Sequence, residues 1–575
     1  MKNPLTLLSA LTCLIFMLSP AMPAQGQDDP ELERRLRELG VGASDGSSRS
    51  QEARRLSAET EQGPPLTDRE VVVHVLNRLA FGPRPGQVDQ VMDMGWENWV
   101  RQQLKPSEIA VPYIDDTMAE KYPSVGMEMA DIFRTYRPPY ASQPPTREER
   151  QMRNRLQREV ESELRDSVLY RAVYSDRQFE EVISEFWRNH FSIDQNKDSV
   201  AYLANNWEED VIRRFAFGKF EDMLLASARH PAMLIFLDNH VSQRPLSLRE
   251  EALIERYSDR RHVPQSVRAL SRTRGLNENY ARELMELHSL GVDREYTQRD
   301  VTELARVLTG WSARWSNGQA YGGQRMNARN ADGQATYGFY FNERFHDERD
   351  KVVLGTRLQG GGEEQGVMVV RALARHPYTA DFIARKLCRY LLRDEPSEDL
   401  VRQVKKVYQR SDGDLPSVYE AIIFSDDFLY RQNHQVKFKT PFEFVVSSLR
   451  ATGAEVTNFN ELNRSLERMG QSIYRCPDPT GYYDMAEAWL DPGVLVYRWD
   501  FALNLANNRI NGVRLPEALM ANLPYNQLVE KLESRVVPSG LSDRTRQIMD
   551  QTLGNRGNAN EVLGIMLGSP DFQTQ

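Results

Sequence analysis

Helical periodicity governs almost everything from Thr67 onward, and over so many residues it leaves a many-helix body as the natural outcome. Thr67 and Glu70 have the spacing of a capping box, in which side chains at i and i+3 satisfy each other's backbone N–H groups. Val72, Val75, Leu76 and Leu79 then recur on one face, and Gly82-Pro83 stops the run. The spacing predicts a long charged helix over 146–174 with the stripe Leu156, Val160, Leu164, Val168 and Val173. Another is opened by Thr297 and Asp300 and closed by Gly310. Extended structure is signalled once. Residues 337–341 and 351–354 read as the strands of a small hairpin joined through 345–350. The Gly-rich run 355–366 lacks the Lys-Ser/Thr of a phosphate-binding loop and follows no βαβ unit, so it reads as a flexible loop with no nucleotide role. The fold class expected is mainly α, a large multi-helix globular body with one small β-hairpin insertion.

The first residues carry a different signal. Lys2 gives a short positive start, an apolar run follows over 5–18, and small side chains at Ala24 and Gly26 fit a signal-peptidase site. A spanning helix needs roughly 20 apolar residues, and this run is shorter. Residues 1–26 are therefore expected to be a cleaved signal peptide, placing the protein in the periplasm or outside the cell, with no membrane span afterwards. Residues 27–65 form a flexible charged linker. Its Gly42-Ala43-Ser44-Asp45-Gly46 is a literal G-x-S-x-G, but no strand precedes it, so it is not a nucleophile elbow. Residues 66–515 read as a helical core and 516–575 as a helical segment packed on it. A faint echo between 418–428 and 560–572 reads as two helices stopped by similar turns. A net charge of −9, with no basic cluster outside helices, argues against a nucleic-acid partner. Cys13 lies in the leader; Cys388 and Cys476 are compatible either with a disulfide or with two separate buried thiols.

Three stretches set ionisable groups among apolar residues, where desolvation makes such groups costly or useful. In 185–194, Phe186, His190 and Asp194 fall at i, i+4 and i+8, so on a continuous helix Asp194 could fix the tautomer of His190. In 277–288, Asn277 is a good N-cap, and Glu278, Arg282, Glu283, Glu286 and His288 could arm a carboxylate-rich site between helices or form a solvated face. In 341–347, His346-Asp347 follows the expected strand as a ligand or acid–base pair, or as turn residues.

The sequence resembles the bacterial family named domain of unknown function 1800. The matching pieces include HVLNRLAFG at 74–82, FWRNH at 186–190, HPAMLIFLDN at 230–239 and NENYARELMELHSLG at 277–291. YTQRDVTELARVLTGW at 296–311, FHDERDKVVLG at 345–355, HPYTADFIARKL at 376–387 and a Pro-Thr-Gly-Tyr at 479–482 follow in order. The chain departs from the family pattern at Arg475-Cys476-Pro477-Asp478, where consecutive prolines are more usual, and at Glu348-Arg349-Asp350, where a glycine is. The resemblance implies an exported, largely helical protein without an assigned activity. It also implies a sulfatase-like exported partner encoded nearby, and it supplies no catalytic residues.

Two functions are compatible with this reading. One is a binding or assembly scaffold in which the polar stretches are buried hydrogen-bond networks. The alternative is a hydrolase acting on an extracytoplasmic substrate. In it His190, His288, Glu283, His346 and Asp347 are the catalytic candidates, and His190, Asp194, His288, Glu286 and His346 the ligands of a divalent metal.

Overall fold

The computed structural model describes residues 64–138, 144–258, 260, 262–270, 275–314, 338–520, 523–554 and 556–575. The leader, all but the last two residues of the linker, the G-x-S-x-G run and Tyr337 lie outside the described residues. The described chain is mainly α, with 26 α-helices and three two-stranded sheets.

Capping residues set many of the helix starts. Helix α1 (Asp68–Leu79) carries the Thr67–Glu70 box, and α2 (Arg147–Tyr174) opens with a second box of Thr146 and Glu149. Helix α3 (Gln178–His190) follows after a short turn. Helix α4 (Glu278–Glu286) is capped by the Asn277 side chain, which accepts from Tyr280 N at 3.3 Å, and α5 (Gln298–Val307) by Thr297 and Asp300. Helix α6 (Pro377–Leu391) uses an imidazole instead, with His376 Nδ1 accepting from Tyr378 N at 3.2 Å. Helix α7 (Pro441–Thr452) is buried along its whole length, as a helix apolar on most faces must be. Helices α8 (Pro492–Ala506) and α9 (Ala559–Gly568) pack together at Gly564, where a Cβ would come within 2.9 Å of Leu503. The two echoing segments each end in a serine-capped short helix that buries its phenylalanine, Phe428 or Phe572.

One hydrophobic cluster runs from Val72 to Phe572. The segment after residue 515 joins it through α9, and the backbones of Lys437 and Gln575 exchange hydrogen bonds of 3.1 and 2.8 Å. Buried arginines tie distant parts of the chain to α1. Arg78 Nε donates to Leu391 O at 3.0 Å, and Arg450 donates to Gly82 O and Val173 O, both at 3.0 Å. Cys388 and Cys476 are both buried free thiols.

The strand assignment needs correction. Both expected strands exist, but they do not pair with each other. Strand β1 (Trp311–Arg314) pairs antiparallel with β2 (Gly338–Phe341), and β3 (Lys351–Val353) with β4 (Thr356–Leu358). A third pair joins β5 (Glu455–Val456) to β6 (Val513–Arg514). The physical reason is local. Leu354 and Gly355 both take positive φ (46° and 75°), a two-residue turn that sends the chain straight back on itself. The 355–366 stretch is therefore not a flexible loop: it holds β4 and the start of a helix, Glu363–Ala374. Gly366 within that helix faces Trp311, whose ring would lie 2.2 Å from any Cβ there.

At the centre lies a carboxylate with no solvent exposure. Glu208 opens a π-helical turn (Glu208–Arg213), accepts from Arg188 at 2.9 and 3.0 Å and from Arg213 Nε at 3.0 Å, and also from the Tyr474 hydroxyl. Burial by itself would raise its pKa; the two guanidiniums more than offset this and hold it at about 2. Glu208→Gln is expected to lower stability by about 3 kcal/mol at neutral pH, because it leaves two buried guanidiniums short of charge. The folded pKa lies below the ordinary 4.5, so this contribution is complete above that value and is lost as pH falls toward about 2. Denaturant unfolding of both proteins across that window checks the expectation, and equal stability at pH 7 would reject it.

Candidate functional site

The FWRNH run at the end of α3 sends each side chain to a different neighbour. Trp187 is fully buried and donates from Nε1 to the Tyr419 hydroxyl at 2.7 Å, and Arg188 reaches Glu208. Asn189 forms a two-way bond with Tyr482: its Oδ1 accepts from the Tyr482 N–H at 2.7 Å, and its Nδ2 donates to Tyr482 O at 2.8 Å. This docking requires Gly481, which takes φ +76° and whose Cβ, if present, would lie 2.3 Å from Asn189 O. The Pro-Thr-Gly-Tyr segment is thereby fixed against α3, and α6 closes the opposite side.

Between them lies a cleft of about 240 Å³. Phe186, Phe382, Tyr390, Tyr482 and Tyr483 supply aromatic walls, and Tyr483 is 69% exposed at the mouth. The acids on its lining are already paired. Glu185 bonds Arg188, Glu286 lies 3.3 Å from Arg282, and Asp484 lies 2.8 Å from Lys437. Lys386 of α6 also lines the cleft and makes no ion pair among the described residues. Its Nζ lies 2.9 Å from His190 Nδ1 instead. A protonated lysine can only donate, so Nδ1 is the acceptor and the ring proton sits on Nε2, which faces His288 O at 3.3 Å. Burial, then Lys386, then His288 push the His190 pKa well below its ordinary value, so the ring is neutral. Burial also lowers Lys386 to about 8; Asp484 opposes the shift and Arg389 adds to it.

The expected site residues divide into separate groups. His190 and His288 come together, with ring centroids 6.4 Å apart, but His288 contributes its carbonyl while its buried Nε2 has no hydrogen-bond partner among the described residues. Glu286 lines the cleft beside His190; Glu283 is part-buried on the same helix, its pKa raised by burial and by Glu286. Asp194 does not orient His190. Phe191 leaves helical geometry (φ −103°, ψ 53°), so Asp194 falls beyond the helix end, caps Asn196 N at 2.9 Å and pairs by backbone with Arg475. His346 and Asp347 form another cluster. His346 Nδ1 contacts Thr309 O at 2.8 Å, while Asp347 is clamped by Arg306 at 2.8 Å and by Arg349. Those guanidiniums outweigh its burial and depress its pKa strongly, which suits a structural anion better than a base. Among the described residues no three or more His, Cys, Asp or Glu side chains are grouped to hold a metal ion, so the expected ligands do not assemble there.

Lys386 and Asn189 were not singled out from the sequence. A signal for Lys386 exists in retrospect: Phe382, Lys386 and Arg389 fall at i, i+4 and i+7 of α6, beside the buried stripe Ile383, Ala384, Leu387 and Cys388. A part-buried lysine without a counter-ion is a stability cost. Its folded pKa lies below the ordinary 10.5, so the cost is full below about 8 and disappears as pH rises toward 10.5. Lys386→Met is therefore expected to stabilise the protein at pH 7, by about 1–3 kcal/mol, with the gain vanishing above pH 10. Thermal unfolding at pH 7 and pH 10 reads this directly, and a destabilised variant at pH 7 would refute it.

Comparison with curated proteins gives no match, and comparison with solved structures gives none. The family model described as protein of unknown function (DUF1800) matches residues 74–574, from His74 in α1 to the penultimate residue, and the chain belongs to that family.

Proposed function

We propose that this is an exported binding protein, and that it holds a small uncharged ligand with an aromatic or apolar body in the cleft between α3, α6 and the Pro-Thr-Gly-Tyr segment. The observation that carries this reading is the cleft's lining: five aromatic side chains around about 240 Å³, with the lining carboxylates each already paired to a cation. An apolar concavity with a few convergent polar groups is the usual form of a small-molecule site. With its carboxylates each paired, the lining offers no free acid to hold a cationic ligand, so a neutral one is favoured over a cationic one. The hydrolytic alternative retains one supporting feature, the Lys386–His190 contact, which joins an amine to a neutral imidazole inside the cleft. It would then be acid–base chemistry centred on Lys386, with His346 and Asp347 playing no part.

Export and a sulfatase-like partner belong to the same proposal, and both rest on the sequence. Mature protein recovered from the producing cell is expected to begin at Gln27; N-terminal sequencing that finds Met1 retained would overturn the export reading. For the cleft, 4-hydroxybenzyl alcohol is a suitable neutral aromatic probe. Calorimetric titration is expected to show saturable binding, weakened about tenfold by Phe382→Ala. No saturable binding, or binding indifferent to Phe382→Ala, would count against the cleft as the site.

A further inference from the structure

We propose that Lys386 is a nucleophile that captures the carbonyl group of a ligand as an imine within the cleft. This rests on the reading of the cleft as a ligand site and adds the chemical class of ligand, an aldehyde or ketone with an aromatic or apolar body. Three geometric facts support it. The Lys386 amine lines the cavity, has no ion-pair partner among the described residues, and lies 2.9 Å from a ring nitrogen that can only accept. Its charged neighbours are already engaged: Asp484 across the cleft with Lys437 at 2.8 Å, and Arg389, one turn on along α6, which donates to Asp394 O at 3.0 Å. Apart from the Phe382 ring, 5.4 Å from Nζ, little therefore holds the amine in its protonated form, and burial lowers its pKa to about 8. Such an amine is on the order of a hundredfold more deprotonated at pH 7 than an ordinary lysine.

The chemistry balances without a further reagent. The free amine of Lys386 attacks the carbonyl carbon, and the C–O π electrons move to oxygen. Nitrogen loses both of its protons, the oxygen gains two and leaves as water, and a C=N bond replaces C=O. His190 Nδ1 is placed to relay the proton leaving nitrogen, while the His288 carbonyl holds its other ring nitrogen. His190, in direct contact with the reacting nitrogen, is thus a catalytic residue of this step.

The test treats the purified protein with 4-hydroxybenzaldehyde and then sodium borohydride, which reduces an imine to a stable secondary amine, followed by peptide mapping. The expected result is labelling of Lys386 at least about tenfold faster than of other lysines at pH 7. Lys386→Arg should abolish that label without lowering the unfolding temperature, and His190→Gln should slow it while the protein remains folded. Labelling spread evenly over the lysines overturns the proposal, as does labelling unchanged in Lys386→Arg. 4-Hydroxybenzyl alcohol, which has no carbonyl, separates the two readings. If it binds and no adduct at Lys386 is trapped, the imine is wrong and the cleft stands. If neither compound binds, both fail.

Discussion

A carboxylate with no exposure to water tolerates very few arrangements of the chain around it. Glu208 must keep both Arg188 and Arg213 within reach, and those two arginines come from α3 and from the π-helical turn. Arg213 in turn engages Glu181, two turns further back on the same face of α3, and Tyr474 comes in from the segment preceding the Pro-Thr-Gly-Tyr run. Replacing such a cluster by apolar residues can leave stability unchanged, whereas breaking it is costly. Its effect is therefore one of selection, since only one mutual placement of these segments satisfies all the charges. The π-helical turn fits this account, because an extra residue in the turn re-aims the side chains that follow it.

The cleft inherits its shape from that placement. Arg188 and His190 are two residues apart on the last turn of α3, so fixing one sets the direction of the other. Asn189 between them clasps Tyr482 and brings the aromatic segment alongside. Phe186 lies one turn back and nearly parallel to the His190 ring, with 12° between the planes. Five consecutive residues thus join a core helix, a buried charge cluster, a loop and a cavity wall. None of them is free to vary for the sake of only one of these.

Much of the helical scaffold was legible in the sequence, because capping boxes and apolar stripes are local signals. The Thr67, Thr146 and Thr297 starts needed only residues within one turn. The strand pairing was not legible, since the choice between β3–β2 and β3–β4 depended on two residues, Leu354 and Gly355, adopting left-handed conformations. For the site, the stretch around His190 was the right place, but the pattern misled in one respect. Extending the helical count past His190 put Asp194 on the same face, whereas the helix ends there. Lys386 was missed for a deeper reason. A lysine on a helix reads as solvent-facing unless the distant segment covering it is known, and that segment lies about a hundred residues further on, around Asp484. His346 and Asp347 show the converse, because local pattern could not reveal that Arg306 and Arg349 commit the carboxylate.

The arginine ties to the first helix have a consequence in time rather than in space. Arg78 finds its carbonyl acceptor at Leu391, and Gly82 waits for Arg450. A chain made from its N-terminus can pack α1 against the helices Gln87–Met94 and Trp96–Gln103 soon after they are made, but the two arginine ties wait for residues far along the chain. Contacts closed over more than three hundred residues form slowly, and surfaces that wait for them are open to association with other chains. The first helix is thus among the earliest made and among the last to be secured.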